Sequence, residues 1–429
     1  MPRRITILFL MLFCQRAAMA DEAPRTADKT LAVESFALNK YARVLDGQWQ
    51  GIGVASDGNC YFGSSTHAHN HGAAFFRYDP RAKELKLLCE DITKICGEDP
   101  TKTPPQGKLH SDIVEANGWL YFATHLANYW PEAEAAYTGA HVIGYELASG
   151  KFRDLGIVRR NYSIYSGVQV DAKRKKLYVF VTSFNEPEAK KDGSHLYRID
   201  LESGRKEELG MVKAGGPHGS FHLFVDGRGD CWFTIGRDNG TLCCARLATG
   251  KIDRWENVLP DPSAGADRAW HWAQPLPDGK RCAFTLMDGN KLWIFDADQF
   301  SRDPSKGFQV VQDIGYSYLG MALAKNRVYY IQRAGRKKGH QNASDHHLLS
   351  VALDPKTAPA IIDYGLIVDR AGRQPWRIPG LTADGQGNVF MVGDWNLLAG
   401  ETGTLRHDKG DQYKELRRGE FFAVAKAVE

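Results

Sequence analysis

The chain has 429 residues, of which 43% are hydrophobic and 25% are charged, and its formal net charge is +4 at pH 7. This composition is close to ordinary usage and is typical of a globular exported protein. Three of the arginines lie within the first 20 residues, so the remainder is close to neutral. The sequence has no concentrated basic stripe, which is the pattern that would indicate nucleic-acid binding.

The first 20 residues are organised like a secretory signal peptide. Two arginines precede an apolar run over residues 5–13, and Ala18-Met19-Ala20 then forms an A-x-A cleavage site. The run is shorter than the roughly 20 residues that a membrane-spanning helix needs, and a buried N-terminal strand is the alternative. We expect no membrane span, cleavage after residue 20, and secreted or periplasmic localisation.

A short pattern recurs along the rest of the chain. Each copy has a turn rich in Asp, Gly and Asn, followed by a strand that usually carries an aromatic residue. The copies occupy residues 56–62, 116–122, 171–178, 226–233, 277–284, 324–330 and 384–390. Their aromatic positions are 46 to 61 residues apart, which is typical of four-stranded propeller blades. The sequence therefore predicts one all-β domain over residues 21–429, a seven-bladed β-propeller.

The last copy ends at residues 421–425, and no outer strand follows it. We expect residues 31–44 to supply the missing strand, because a closing strand from the other terminus joins the ring and covers an exposed edge. The fold is thus predicted to be closed by an N-terminal strand.

Loops at one face of a propeller converge on the central channel, and the repeat assigns residues to that face. Six of the 14 histidines fall there: His67, His110, His125, His218, His222 and His271. Convergent polar and aromatic groups are what a ligand site requires. We predict that the following residues bind substrate: His222, Arg237, His271, Trp272 and Arg333.

His110, His125 and Tyr165 are the predicted catalytic residues. The two histidines lie at opposite ends of one hairpin, and Tyr165 begins the equivalent strand of the next repeat. Two imidazoles and a phenol at one rim can remove a proton from a substrate and return it. The structural alternative is a hydrogen-bonded plug that closes the channel.

His67, His69 and His71 alternate along the sequence and would project to the same side of a strand. Such a cluster could hold a divalent metal ion (Zn²⁺, Mn²⁺ or Ca²⁺), since neutral imidazole is a common metal ligand. A solvent-facing polar loop is the alternative.

Export permits disulfide bonds. Cys89 and Cys96 are close in sequence and form the first candidate pair, and Cys231 with either Cys243 or Cys244 forms the second.

The placement of His110, His125 and Tyr165 resembles that of seven-bladed propeller polysaccharide lyases, which include ulvan lyases and rhamnose–glucuronate lyases. In that family an Arg follows at the end of the Tyr hairpin, whereas this chain has Thr182-Ser183. The resemblance implies β-elimination at a uronic acid of a glycan. It implies that Tyr165 and His125 transfer protons, and that His110 and Arg237 contact the carboxylate.

Three functions remain open from the sequence. The first is a secreted carbohydrate-active enzyme, above all a polysaccharide lyase, that acts on a polysaccharide or oligosaccharide. The second is a non-catalytic propeller that binds a glycan or a protein through an exposed aromatic platform formed by Tyr129, Trp130 and Trp272. The third is a metal-dependent lactonase or hydrolase. We expect a monomer in each case.

Overall fold

The computed structural model describes most of the chain beyond the predicted signal peptide, which lies outside the described residues. It covers residues 29–129, 131–183, 192–213, 222–236, 240–261, 268–287, 289–315, 320–333, 345–354, 356, 359–407 and 412–427.

The described residues form a ring of antiparallel sheets, which is the architecture of a β-propeller. The first strands of the chain are β1 (Thr30–Ala37), β2 (Leu45–Gly47), β3 (Ile52–Val54), β4 (Cys60–Thr66), β5 (Ala74–Asp79) and β6 (Glu84–Cys89). Strands β2 to β6 form a five-stranded sheet in the order β2-β4-β5-β6, with β3 also paired to β4.

Four four-stranded sheets follow. The first contains β7 (Val114–Ala116), β8 (Trp119–Ala123), β9 (His141–Glu146) and β10 (Phe152–Ile157). The second contains β11 (Val168–Asp171), β12 (Lys176–Thr182), β13 (Ser194–Asp200) and β14 (Lys206–Lys213). The third contains β15 (Leu223–Val225), β16 (Cys231–Thr234), β17 (Leu242–Ala245) and β18 (Ile252–Trp255). The fourth contains β19 (Trp270–Pro275), β20 (Arg281–Leu286), β21 (Lys291–Asp296) and β22 (Phe308–Asp313).

The last part of the chain forms an eight-stranded sheet and a small hairpin. The strands are β23 (Met321–Ala324), β24 (Arg327–Arg333), β25 (His346–Ala352), β26 (Ile361–Asp369), β27 (Pro375–Ala383), β28 (Asn388–Asn396), β29 (Leu405–His407), β30 (Tyr413–Glu415) and β31 (Arg418–Lys426). The order in the large sheet is β23-β24-β25-β26-β1-β31-β28-β27, and β29 pairs with β30 in a separate two-stranded sheet. The described helices are short: α1 (Ile92–Ile95), α2 (Pro131–Ala136), α3 (Ala297–Arg302) and a 3₁₀ turn over Pro304–Lys306. No described helix is long and apolar enough to cross a membrane.

The repeat predicts the strands well. The seven repeated positions, residues 61, 121, 178, 232, 283, 329 and 390, lie in β4, β8, β12, β16, β20, β24 and β28, each of which follows a turn of the repeat. Asn117 and Gly118, which join β7 to β8, both have positive φ, at 53° and 78°. That geometry belongs to the type I′ turns that suit hairpins.

The N-terminal strand closes the ring as predicted, although it ends at Ala37 instead of continuing to residue 44. It pairs antiparallel with β31 and parallel with β26. Phe62 of β4 and Phe422 of β31 stack with ring centres 4.7 Å apart and 1° between their planes. Both are fully buried, so the first and last sheets share one apolar interface.

The predicted disulfides are wrong, because every cysteine of the described chain is a free thiol. Cys231 lies opposite Ala245 in the β16–β17 pairing, and Cys244 lies opposite Trp232. Cys243 is therefore only a diagonal neighbour of Cys231, and diagonal positions across a sheet are about 7–8 Å apart, beyond disulfide reach. Burial raises the pKa of Cys89 to about 11, which keeps that thiol protonated.

Candidate active site

The three predicted catalytic residues lie on loops at the same rim of the ring. His110 is in the segment that leads into β7, His125 follows β8, and Tyr165 precedes β11. The Lys108 N–H donates to the His125 carbonyl over 3.1 Å, which extends the hairpin pairing beyond the strands. This backbone bond holds the segments that carry the two histidines side by side.

The three rings form one cluster. The ring centres of His110 and His125 are 4.7 Å apart, those of His110 and Tyr165 are 4.7 Å apart, and those of His125 and Tyr165 are 5.5 Å apart. Both histidines are buried, whereas Tyr165 is half-buried. The predicted convergence of the three residues is therefore a feature of the structure.

Burial determines the charge of the imidazoles. It lowers the pKa of His110 and His125 well below the usual value, and the nearby Lys108 ammonium lowers both further. His110 is also disfavoured as a cation by His125 and Arg377. The two rings are therefore neutral near pH 7, which is the form able to accept a proton.

Lys108 and Tyr129 form the wall of the site beside His125. Tyr129 Oη and His125 Nε2 are 2.6 Å apart, and the Lys108 Nζ lies 4.0 Å from the centre of the Tyr129 ring. Lys108 is only 1% exposed. Burial lowers its pKa to about 7, and Arg406 acts in the same direction while Asp46 opposes it. The lysine is thus balanced between its charged and neutral forms at neutral pH.

Trp49 and Arg377 form the opposite wall, beside His110. Trp49 stacks on His110 with ring centres 5.1 Å apart, and the Arg377 guanidinium lies 4.4 Å from the Trp49 ring. Arg377 is held by Asp394, which accepts from Nε over 3.0 Å and lies 2.8 Å from Nη2. Neighbouring Glu420 is fully buried, and burial followed by the Asp394 charge raises its pKa well above the ordinary value. We therefore treat Glu420 as a neutral carboxylic acid.

His67 belongs to the edge of this site rather than to a three-histidine metal centre. Its Nδ1 lies 2.9 Å from Asp46 Oδ1, whereas His71 Nδ1 lies 2.6 Å from the Gly72 carbonyl and the His69 ring packs against His407. In the described part of the chain, no group of three His, Cys, Asp or Glu residues is arranged to hold a metal ion. The predicted metal site fails because β4 ends at Thr66, so the alternation of a strand does not apply to the loop that follows.

Some of the other predicted binding residues line the central channel, and the rest lie wholly or partly outside the described residues. His222, His271 and Trp272 line a cavity of about 570 Å³ that follows the central channel. His222 Nδ1 is 3.0 Å from Asp112 Oδ2 across this channel. Arg237 lies outside the described residues, and only the backbone of Arg333, in β24, is described.

The channel cavity and the ring cluster are adjacent but distinct. The residues that line the cavity include Gln50 and Asp112, which are close in sequence to Trp49 and His110, but none of the three clustered rings. Groups of the type that transfer protons are concentrated at the cluster. The predicted aromatic platform is not formed as a unit. Tyr129 is 41% exposed, Trp272 is buried in the cavity wall, and Trp130 lies outside the described residues.

Sequence reasoning missed Lys108, Trp49 and Arg377. Lys108 is two residues before His110 and could have been found by alternation, since both side chains of an extended segment then project to one side. Arg377 had no comparable signal, because β27 shifts register on both sides of it.

No protein-family model matches this chain, and no curated protein sequence matches it. Solved structures are similar to it at the level of the fold. Virginiamycin B lyase from Staphylococcus aureus is 11% identical, with a TM-score of 0.52 over 92% of this chain and 99% of that chain. A GH74 enzyme from Niastella koreensis is 11% identical, with a TM-score of 0.53 over 81% of this chain and 51% of that chain.

The β-propeller domain of Cps50 (Swd1) from Myceliophteria thermophila is also 11% identical, with a TM-score of 0.52 over 81% of this chain and 94% of that chain. At such identities the likeness shows a β-propeller and no more, because the same fold carries unrelated functions.

Proposed function

We propose that this protein is a polysaccharide lyase that cleaves a glycan containing uronic acid by β-elimination at the His110–His125–Tyr165 cluster. The observation that carries the proposal is the contact of two buried neutral imidazoles and a phenol at one rim of the propeller. β-Elimination requires a base and an acid at one carbon–oxygen unit, and this cluster supplies both types of group.

In the proposed reaction, His125 removes the proton from C5 of the uronate ring. The electron pair forms the C4–C5 double bond, the C4–O bond breaks, and Tyr165 donates its proton to the leaving oxygen. In this assignment His125 donates its Nε2–H to Tyr129 Oη, which leaves Nδ1 as the basic nitrogen. Tyr129 is a positioning residue here: although the residue as a whole is 41% exposed, desolvation around its hydroxyl, which lies against His125, raises its pKa and keeps it a phenol.

The carboxylate of the uronate must be neutralised, since its charge otherwise opposes removal of the C5 proton. The resemblance implies that His110 and Arg237 contact this carboxylate. Lys108, whose positive charge acts on His125, adds a further group that can face the carboxylate. Positive groups around a partly buried site also attract anionic substrates.

The proposal is tested with purified protein and a panel of uronic-acid polysaccharides, in parallel with and without a chelator. An eliminating lyase generates a conjugated double bond that absorbs in the ultraviolet, and His125→Ala and Tyr165→Phe should abolish that signal. Tyr41→Phe is the matched control, because its hydroxyl donates to the Leu85 carbonyl, remote in sequence from the cluster. Binding without any cleavage would instead favour a glycan-binding propeller, and cleavage lost with chelator would favour a metal-dependent hydrolase.

We also infer that the ring has seven blades and that the protein works outside the cytoplasm. The blade count treats the eight-stranded sheet as two units, β23-β24-β25-β26 and β27-β28-β31-β1, joined by the parallel β1–β26 pairing. Export rests on the signal-peptide pattern of residues 1–20. Detection of a mature N-terminus at Asp21 in an exported fraction would support it, and retention of Met1 would contradict it.

A further inference from the structure

A row of alternating aromatic and cationic side chains extends from the ring cluster toward the last sheet. Trp49 stacks on His110, and Arg377 lies 4.4 Å from the Trp49 ring and 5.7 Å from the Trp376 ring. The Arg418 guanidinium then lies 3.8 Å from the centre of the Trp376 ring. We call Trp49, Arg377, Trp376 and Arg418 the Arg–Trp ladder.

An irregularity in β27 makes the ladder possible. Adjacent residues of a regular strand project to opposite faces, so Trp376 and Arg377 would normally be separated. The register of β27 against β28 shifts between Pro375 and Arg377 and again between Arg377 and Gly380. Such bulges redirect side chains, and here they allow neighbouring residues to join one row.

The two arginines of the ladder differ in their partners. Arg377 is paired with Asp394, whereas Arg418 forms no ion pair or side-chain hydrogen bond with any residue in the described ranges. Arg418 is half-buried, and burial lowers its pKa, with Arg377 and Arg406 adding to that effect and Asp394 and Asp46 opposing it. Arginine nevertheless remains charged in proteins, so Arg418 is a partly desolvated cation that forms no direct ion pair within the described ranges, with Asp394 and Asp46 as its nearby negative charges.

We propose that the Arg–Trp ladder is a second anionic subsite, which binds an acidic group on a sugar next to the one that reacts at the cluster. The planar Arg418 fork matches a carboxylate or sulfate with two parallel hydrogen bonds, and the Trp376 ring on which the guanidinium lies fixes the position of that fork. This inference rests on the proposed function for the identity of the ligand as a glycan. It adds that the preferred glycan carries negative charge on neighbouring sugars.

The ladder is tested first with inorganic sulfate, so that the result is independent of catalysis. Sulfate stabilises proteins non-specifically, and each variant is therefore compared with wild type in sulfate and in chloride at equal ionic strength. The sulfate-dependent rise in Tm should saturate in wild type and in Arg370→Met, which removes an exposed arginine, and at least half of it should be lost in Arg418→Met. Equal rises in all three proteins would overturn the proposal. Arg418→Lys retains the charge without the planar fork, and it provides the comparison if Arg418→Met does not fold.

The second test measures binding of acidic oligosaccharides to Tyr165→Phe, which should bind without cleaving. The probes are an unsulfated oligouronate, its sulfated form and its fully methyl-esterified form, which is neutral. We expect Arg418→Met in this background to weaken the charged ligands about tenfold, the loss of one bidentate contact, and to leave the neutral one unchanged. A loss confined to the sulfated form identifies sulfate as the group bound, and an equal loss for both charged forms identifies the carboxylate. Undiminished binding of both charged forms would contradict the ladder while leaving the cluster untouched.

Discussion

His110 and Tyr165 lie with their ring centres 4.7 Å apart, although they belong to loops of neighbouring sheets. His110 leads into the sheet of β7 to β10, and Tyr165 leads into the sheet of β11 to β14. The contact therefore depends on the packing of two sheets around the channel, and the chemistry of the site is a property of the assembled ring.

The phenol of Tyr165 has the most specific role in the proposed reaction. Removing only its hydroxyl, in Tyr165→Phe, should lower kcat by about 10²–10⁴-fold with little change in KM, because general acid catalysis acts in the transition state. Steady-state kinetics on the substrate found in the panel would measure this. A loss of similar size in Tyr41→Phe would show that the effect is not local to the cluster.

Lys108 should destabilise the fold at neutral pH. Its folded pKa is about 7, below the unfolded value, so the unfolded chain binds more protons between about pH 7 and pH 10 and wild-type stability rises with pH over that range. Lys108→Met should thus be more stable than wild type by a few kcal/mol near pH 7, with a gain that shrinks as pH rises. Urea unfolding at several pH values measures it.

Lys102→Met is the control for that experiment, because Lys102 is exposed and paired with Asp99 at the surface. A pH-independent effect of Lys108→Met, or an equal effect of Lys102→Met, would show that burial of the amine is not the cause. We also expect Lys108→Met to lose lyase activity, since functional groups are often held at a cost in stability.

Glu420 provides a prediction with the opposite pH sign. Its folded pKa is raised, so the folded state holds a proton that the unfolded state releases above its own pKa of about 4.3, and stability falls as pH rises from there. Glu420→Gln retains the shape of the side chain and is uncharged at every pH. It should become progressively more stable than wild type between about pH 5 and pH 8, by about 1–3 kcal/mol. Parallel stability curves for the two proteins would show that Glu420 is ionised in the folded state.

Ring closure depends on the apolar interface between the first and last sheets. Phe422→Ala removes the ring that stacks on Phe62 and should cost about 3–5 kcal/mol of unfolding free energy, as large buried aromatics do. Phe422→Leu should cost markedly less, since it leaves a smaller void. Denaturant unfolding measures both, and a loss below about 1 kcal/mol for Phe422→Ala would mean that the stacked pair does not hold the ring closed.

The repeat was sufficient to predict the strands, the closing strand and the rim positions of His110, His125 and Tyr165, because each depends on a local pattern repeated along the chain. The sequence could not predict the position of Arg377, which depends on an irregular register in β27. It also suggested a metal site at His67, His69 and His71, because a strand was extended into what is a loop. Partners from separate segments, such as Asp46 of β2 and His67 of the loop after β4, leave no periodic signal.

The most direct test of the central claim is the mass of the products that wild-type protein and Tyr165→Phe form from a uronic-acid oligosaccharide. Elimination gives two products. The product with the new non-reducing end carries an ultraviolet-absorbing double bond, and its mass is one water lower than that of the corresponding hydrolysis product. We predict that light, absorbing product from wild type and almost none from Tyr165→Phe. Products with the full mass of hydrolysis, or unchanged cleavage by Tyr165→Phe, would contradict a lyase that works through this cluster.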